Sequence, residues 1–400
     1  MNGAARFSTI SGDMILSAGS EFQVGEVFST SGNVIAFASG APGFTDANAA
    51  GLNFRAASLQ LNATSGPLGS GVNPIETETG LLAANAGGAI FLRNTGALTI
   101  GDTPFAGFTS QSASGFPAAF AVGGSSDLTA GGSVVLVNSG GIIVEDGTVN
   151  NPGVGVRSAT GNILLQDLSG LITLRADFSA PAGGITVLAA GNLAVETSLA
   201  GVGSTVDLQA LGGDLTFLSG LALNSLGSNV RLQASGDVVL ANVNAGAGNV
   251  HVQAGDDILM AGGGHTITAN QARFVATDAV GDLPGNAPIS TSADIVAASA
   301  GAGGIHLLDA NAITVGTTGL YGVNRVGDDG STTPLNDGPL SGLTTTANGS
   351  IVQRNSSGIL TVASAVSANG AGNVRLAAGT GGNVLVNNSI SSGSGNLTVF

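Results

Sequence analysis

The chain has 400 residues and no cysteine and no tryptophan; its ten basic residues are all arginine. Each absence excludes something. Without cysteine there is no disulfide scaffold and no thiolate zinc site. Ten scattered arginines against 25 acidic residues leave a net charge of −15, so the clustered cations that neutralise phosphates are missing. The same deficit disfavours anionic membrane surfaces. No apolar run reaches the roughly 18 residues of a membrane helix. Charged residues are 9% and aromatics 4%, yet the hydrophobic fraction is 43%, which is too apolar for a disordered chain. Glycine is abundant, 66 residues, but not at every third position, so collagen is excluded. The N-terminus has no basic segment followed by an apolar one, so it is not expected to be a signal peptide. The chain is expected to be a piece of a longer one.

What is present is a repeat. A glycine and a small or polar residue precede apolar–x–apolar in GNILLQD (161–167), GGITVLA (183–189), STVDLQA (204–210), SNVRLQA (228–234), GNVHVQA (248–254), GNVRLAA (372–378) and GNLTVF (395–400). The first apolar residues, Ile163, Ile185, Val206, Val230 and Val250, lie 22, 21, 24 and 20 residues apart. A second strand follows within each unit, as in Val230 with Val238 and Val250 with Ile258. A third, weaker one is expected near Val243. Gly-Asn or Gly-Asp precedes the second strand at Gly191-Asn192, Gly213-Asp214, Gly236-Asp237 and Gly255-Asp256; these residue types tolerate the positive φ of tight turns. Alternation within a strand sets Val230 and Leu232 on one face and Arg231 and Gln233 on the other, the period of a half-buried strand. The spacing predicts an all-β fold, a parallel β-helix (β-solenoid) of about 20–24 residues per coil, continuous over 1–400. Its narrow lumen would be filled by Val, Ile and Leu, with no room for large rings.

A longer repeat overlies the short one. Residues 58–102 resemble 273–316: Ile75 aligns with Ile289, and Ile90 with Ile305. Super-repeats of about 215 residues are therefore expected at 58–272 and, incomplete, at 273–400. Irregular loops are expected at about 103–127 and 317–347, in equivalent places.

The coil motif GNVxLxA…GDVxL and the block LNATSGPLGSGVNPIETETGLLAANAGGAIFLRNTGALTIGD (61–102) resemble the repeat regions of filamentous-haemagglutinin-type exoproteins. That resemblance implies a right-handed β-helix in a very large surface adhesin of a Gram-negative bacterium, secreted by a two-partner route through an outer-membrane transporter. It further implies a role in adhesion or as a rigid spacer, with host or neighbouring-cell surfaces, and their glycans, as partners. The family's N-terminal secretion domain is not evident, which leaves the export route open. Absence of cysteine suits a chain that crosses an oxidising periplasm.

Candidate chemistry is sparse. Polysaccharide lyases and hydrolases also use β-helices and need clustered carboxylates; a surface-layer protein is a further alternative. Asp207, Arg231 and His251 fall on one outward column and are expected to be a solvated charge ladder. His251 and His306 are expected to face solvent, too far apart to share a metal; His265 is the third histidine. Asn192, Asp214, Asp237 and Asp256 form a turn column that can hydrogen-bond from coil to coil. Asp256 and Asp257 carry the alternative of calcium, because AGDDILMAGGG (254–264) looks like one calcium-binding nonapeptide repeat; no other cofactor is expected. Phe105, Phe108, Tyr321 and Arg325, in the two irregular loops, are candidates for surface binding. No catalytic residue is expected, and the rod should be monomeric.

Overall fold

The computed structural model describes residues 6–49, 51–104, 106–111, 117–149, 153–200 and 205–400, with the backbone alone for 106–111 and 117–122. The chain divides into two compact units: Met1–Thr186 with Val326–Thr332, and Val187–Arg325 with Thr333–Phe400. Among the described residues every regular element is a strand. Each unit is a right-handed parallel β-solenoid.

In the second unit Val206 pairs with Val230, Val230 with Val250 and Val250 with Ala272, all parallel. Successive coils are thus offset by 24, 20 and 22 residues. Three strands make a typical coil: Val230–Ala234, Val238–Leu240 and Asn242–Asn244. The third holds Val243, as the sequence suggests. Each coil satisfies its backbone N–H and C=O groups on the coils above and below. Alternation does the rest. Val230, Leu232, Val238, Leu240 and Val243 are fully buried, and each such side chain contributes roughly 1.5–3 kcal/mol on leaving water.

The lumen differs from expectation in one respect. Phe44, Phe54, Phe178, Phe217 and Phe274 lie fully inside, and in the first unit Phe22 stacks on Phe44 with centroids 5.2 Å apart. Phe22 and Phe44 lie opposite each other in paired three-residue strands, so their rings fill the lumen there by facing across adjacent coils.

Each super-repeat copy is organised by one long strand. Ile75–Ala86 and Ile289–Ala300 are both twelve residues long and share nearly the same burial pattern. Ile75–Ala86 pairs with Phe54–Ala63 on one side and with Ile90–Thr95, Leu98–Ile100 and Leu128–Ala130 on the other. Ile289–Ala300 pairs in the same order with Ile267–Ala276, Gly304–Asp309, Ile313–Val315 and Leu343–Thr345. The stretches expected to be irregular hold hairpins instead. Ala106–Gln111 pairs antiparallel with Pro117–Val122, and Tyr321–Val326 pairs with Thr332–Asp337. The second hairpin stands on a short antiparallel pair, Thr317–Thr318 with Leu340–Ser341.

Candidate functional site

The outward column of the second unit is in register: Asp207, Arg231, His251 and Arg273 are direct neighbours on successive coils. They leave the lumen side as alternation requires, but they are not solvated. Asp207 and His251 have no exposed surface and Arg231 only 6%, because hairpin residues 321–325 and 333–337 lie over them. The column is a buried polar network rather than a surface ladder.

Asp337 anchors it from the hairpin. Its Oδ2 accepts from Arg231 Nε at 2.9 Å and from His251 Nδ1 at 2.6 Å. Arg325 Nε donates to Asp207 Oδ2 at 2.9 Å, and Arg231 Nη1 to Asp207 Oδ1 at 3.3 Å. Gln209 Nε2 donates to Asp207 Oδ1 and Gln233 Oε1 accepts from Arg231 Nη2. Arg273 Nη1 donates to His251 Nε2. Burial pushes the His251 imidazole below its ordinary range against the pull of Asp337, and the Arg273 and Arg231 charges push the same way. Burial alone would raise the Asp337 carboxyl, but the hydrogen bonds from His251 and Arg231 and the Arg231 charge hold it well below the carboxylate range.

Tyr321 does not lie at the surface. It is 4% exposed, and its hydroxyl donates to the carbonyls of Val230 and Asn249. Its ring meets His251 edge-on at 5.5 Å. Arg325 is partly exposed but committed to Asp207. Phe105 lies outside the described residues, as does the side chain of Phe108. His306, expected in solvent, is 2% exposed; its Nδ1 lies 3.2 Å from the Asp282 carbonyl and its Nε2 accepts from Arg354 Nη2. His265 is also buried, with Nε2 3.0 Å from Ser219 Oγ.

The turn column is a hydrogen-bonded ladder with one change of membership. Asn192 Oδ1 accepts from Asp214 N, Asp214 Oδ1 from Asp237 N, Asp237 Oδ1 from Asp257 N, and Asp257 Oδ1 from Ala279 N, at 2.9–3.0 Å. Asp257, not Asp256, takes the fourth place, because the strand it introduces starts at Ile258. Asp256 is exposed beside the ladder. Neither Gly213 nor Gly236 has positive φ. A Cβ at either would fall on the oxygen that the preceding coil's Asn192 or Asp214 extends. The Gly-Asp pair therefore marks close approach, not a left-handed turn.

Carboxylate oxygens of Asp237, Asp256 and Asp257 lie within 4.8 Å of one another. The ladder already occupies one oxygen each of Asp237 and Asp257. Burial, then the neighbouring carboxylates, raise the Asp257 carboxyl. An adjoining recess of about 290 Å³ is lined by Asp257, Asp278 and Asp282.

Two further polar features escaped the sequence reading. In the first unit Thr77 Oγ1 donates to Asn94 Oδ1 (2.9 Å), Asn94 Nδ2 to Asn138 Oδ1 (2.9 Å) and Asn138 Nδ2 to Asp167 Oδ2 (2.6 Å), all buried. The signal was present: RNTG, VNSG and QDLSG place Asn or Asp at the same strand position before a glycine. Asp46 and Glu76 form a carboxyl pair, each with one buried oxygen that has no hydrogen-bond donor. Burial and then the Asp46 charge push Glu76 up to about 7.

No known protein family, curated protein or solved structure matches the chain. No helix among the described residues is long and apolar enough to cross a membrane.

Proposed function

We propose that this chain is a repeat module of a large secreted bacterial surface protein of the filamentous-haemagglutinin type, serving adhesion or spacing and performing no catalysis. The coil register carries this reading. Residues pair at a nearly constant offset through coil after coil, an architecture that builds length and a repetitive outer surface from little sequence information. Export would run through an outer-membrane transporter, with another cell's surface or its glycans as the partner.

Surface immunolabelling of intact source cells tests the location: label on the exterior or in the medium is the expected result. Antigen confined to the cell interior overturns the reading. Purified protein should also retain cells or glycans on a coated surface. Incubation with acidic polysaccharides should generate no new reducing ends or unsaturated products; their appearance would instead establish the lyase or hydrolase alternative.

A further inference from the structure

We propose that hairpin residues 321–325 and 333–337 are an acid-released strap whose latch is His251. The geometry around the imidazole admits one protonation state. Nε2 faces an Arg273 guanidinium N–H, and a guanidinium only donates, so Nε2 must be an acceptor. Nδ1 then carries the proton and donates to Asp337. A second proton, on Nε2, would point at another donor.

The charges around the ring agree. Arg231 and Arg273 flank it on the neighbouring coils and Tyr321 and Asp337 meet it from the hairpin, with Asp207 and Arg325 paired to each other further along the same network. Three guanidiniums against two carboxylates already leave an excess of one positive charge with His251 neutral. A protonated His251 makes it two, inside a site where His251 and Asp207 have no exposed surface. Gly319 and Gly338 stand at the feet of the hairpin, where a Cβ would meet nothing within 4 Å. Arg273 Nε, buried without a partner, gains water when the arms lift.

The sign follows from linkage. With the arms lifted, His251 is solvated and takes up its proton near the ordinary value of about 6.5. Docked, it resists protonation, through burial first and then the neighbouring arginines. A histidine held low in the closed state stabilises that state fully above its ordinary range, and the stabilisation is lost as pH falls. The closed-to-open ratio drops by up to about tenfold per pH unit. Asp337 adds to the loss only at lower pH, where solvated carboxyls protonate, near about 4.

Tyr321 is the only tyrosine in a chain without tryptophan, so selectively excited tyrosine emission reports this site alone. Acrylamide quenching of the full chain is measured from about pH 7.5 to about pH 4.5, where imidazole titrates and most solvated carboxyls stay ionised. The expected result is a several-fold rise in quenching with unchanged far-UV circular dichroism. His251→Gln offers an N–H to Asp337 and a C=O to Arg273 but cannot be protonated, so Tyr321 should stay protected throughout. His306→Gln should keep the wild-type transition. Wild-type protection that persists to the acid limit overturns the proposal, and so does a His251→Gln transition like the wild type's. Hydrogen exchange on the wild type, corrected for intrinsic rates, reads the same event without a substitution. Acid-induced loss confined to 321–325 and 333–337 supports the strap; uniform loss or none overturns it.

Discussion

The two super-repeat copies share a backbone plan, and one of their sequence differences, an amide against a carboxylate at one position, decides how far a buried polar ladder runs. Asn94 and Asp309 occupy the same place. Asn94 Oδ1 takes Thr77 Oγ1 and Thr79 N; Asp309 Oδ2 takes Thr291 Oγ1 and Ala293 N. Up to that point the copies are equivalent. Asn94 also has an N–H to give, and it passes the ladder to Asn138 and on to Asp167. A carboxylate only accepts. Asp309 therefore ends its ladder at once, spending its other oxygen on the turn at Asn311 N. On the next coil Asn355 turns to the Ile359 carbonyl instead. An amide propagates order between coils; a carboxylate terminates it.

The comparison breaks most severely at its middle rung. Asn138→Leu leaves the Asn94 amide and one Asp167 oxygen without their mutual partner in a dry interior, and should cost about 2–4 kcal/mol, read by urea unfolding. Exchanging the two chemistries is gentler. Asn94→Asp places an acceptor against the Asn138 oxygen and should cost about 1–3 kcal/mol at neutral pH. The cost should shrink on acidification, because a protonated carboxyl regains a donor. The reciprocal Asp309→Asn loses one turn bond, about 1 kcal/mol, and removes a pH dependence. Burial raises the Asp309 carboxyl against the hydrogen bonds it accepts. Its contribution is thus fully present below the ordinary carboxylate range and is lost as pH rises through the raised value. As pH rises through that range the wild type should lose thermal stability relative to Asp309→Asn, which melts of the two proteins read directly. The smallest contrast separates neighbours. Asp257→Ala should cost about 1 kcal/mol for a lost ladder bond, and Asp256→Ala less than about 0.5 kcal/mol. Equal effects would refute the assignment of the rung to Asp257.

Much of the coil was legible because lumen packing writes itself into a period of two: Val230, Leu232 and Val243 fall where alternation puts them. The phase of a turn was less legible. Gly255-Asp256 matches the dipeptide pattern, yet the strand register favours Asp257 by one residue. Phenylalanines in the lumen were missed because packing between coils, such as the Phe22–Phe44 stack, is invisible in any single strand. The covered column was the largest gap. Alternation sets Asp207, Arg231 and His251 outward, but nothing local tells that Asp337, 106 residues beyond Arg231, folds back to cover them. Contacts of that range leave no period to read.

The turn ladder has a sense of direction. Side-chain oxygens of Asp13, Asn162, Asn192, Asp214, Asp237, Asn348 and Asn373 each take an N–H from the coil that follows, never from the one before. A finished coil thus presents these turn acceptors on its C-terminal rim. Growth by addition is asymmetric: the next turn of chain finds its turn acceptors already set, in the order of synthesis.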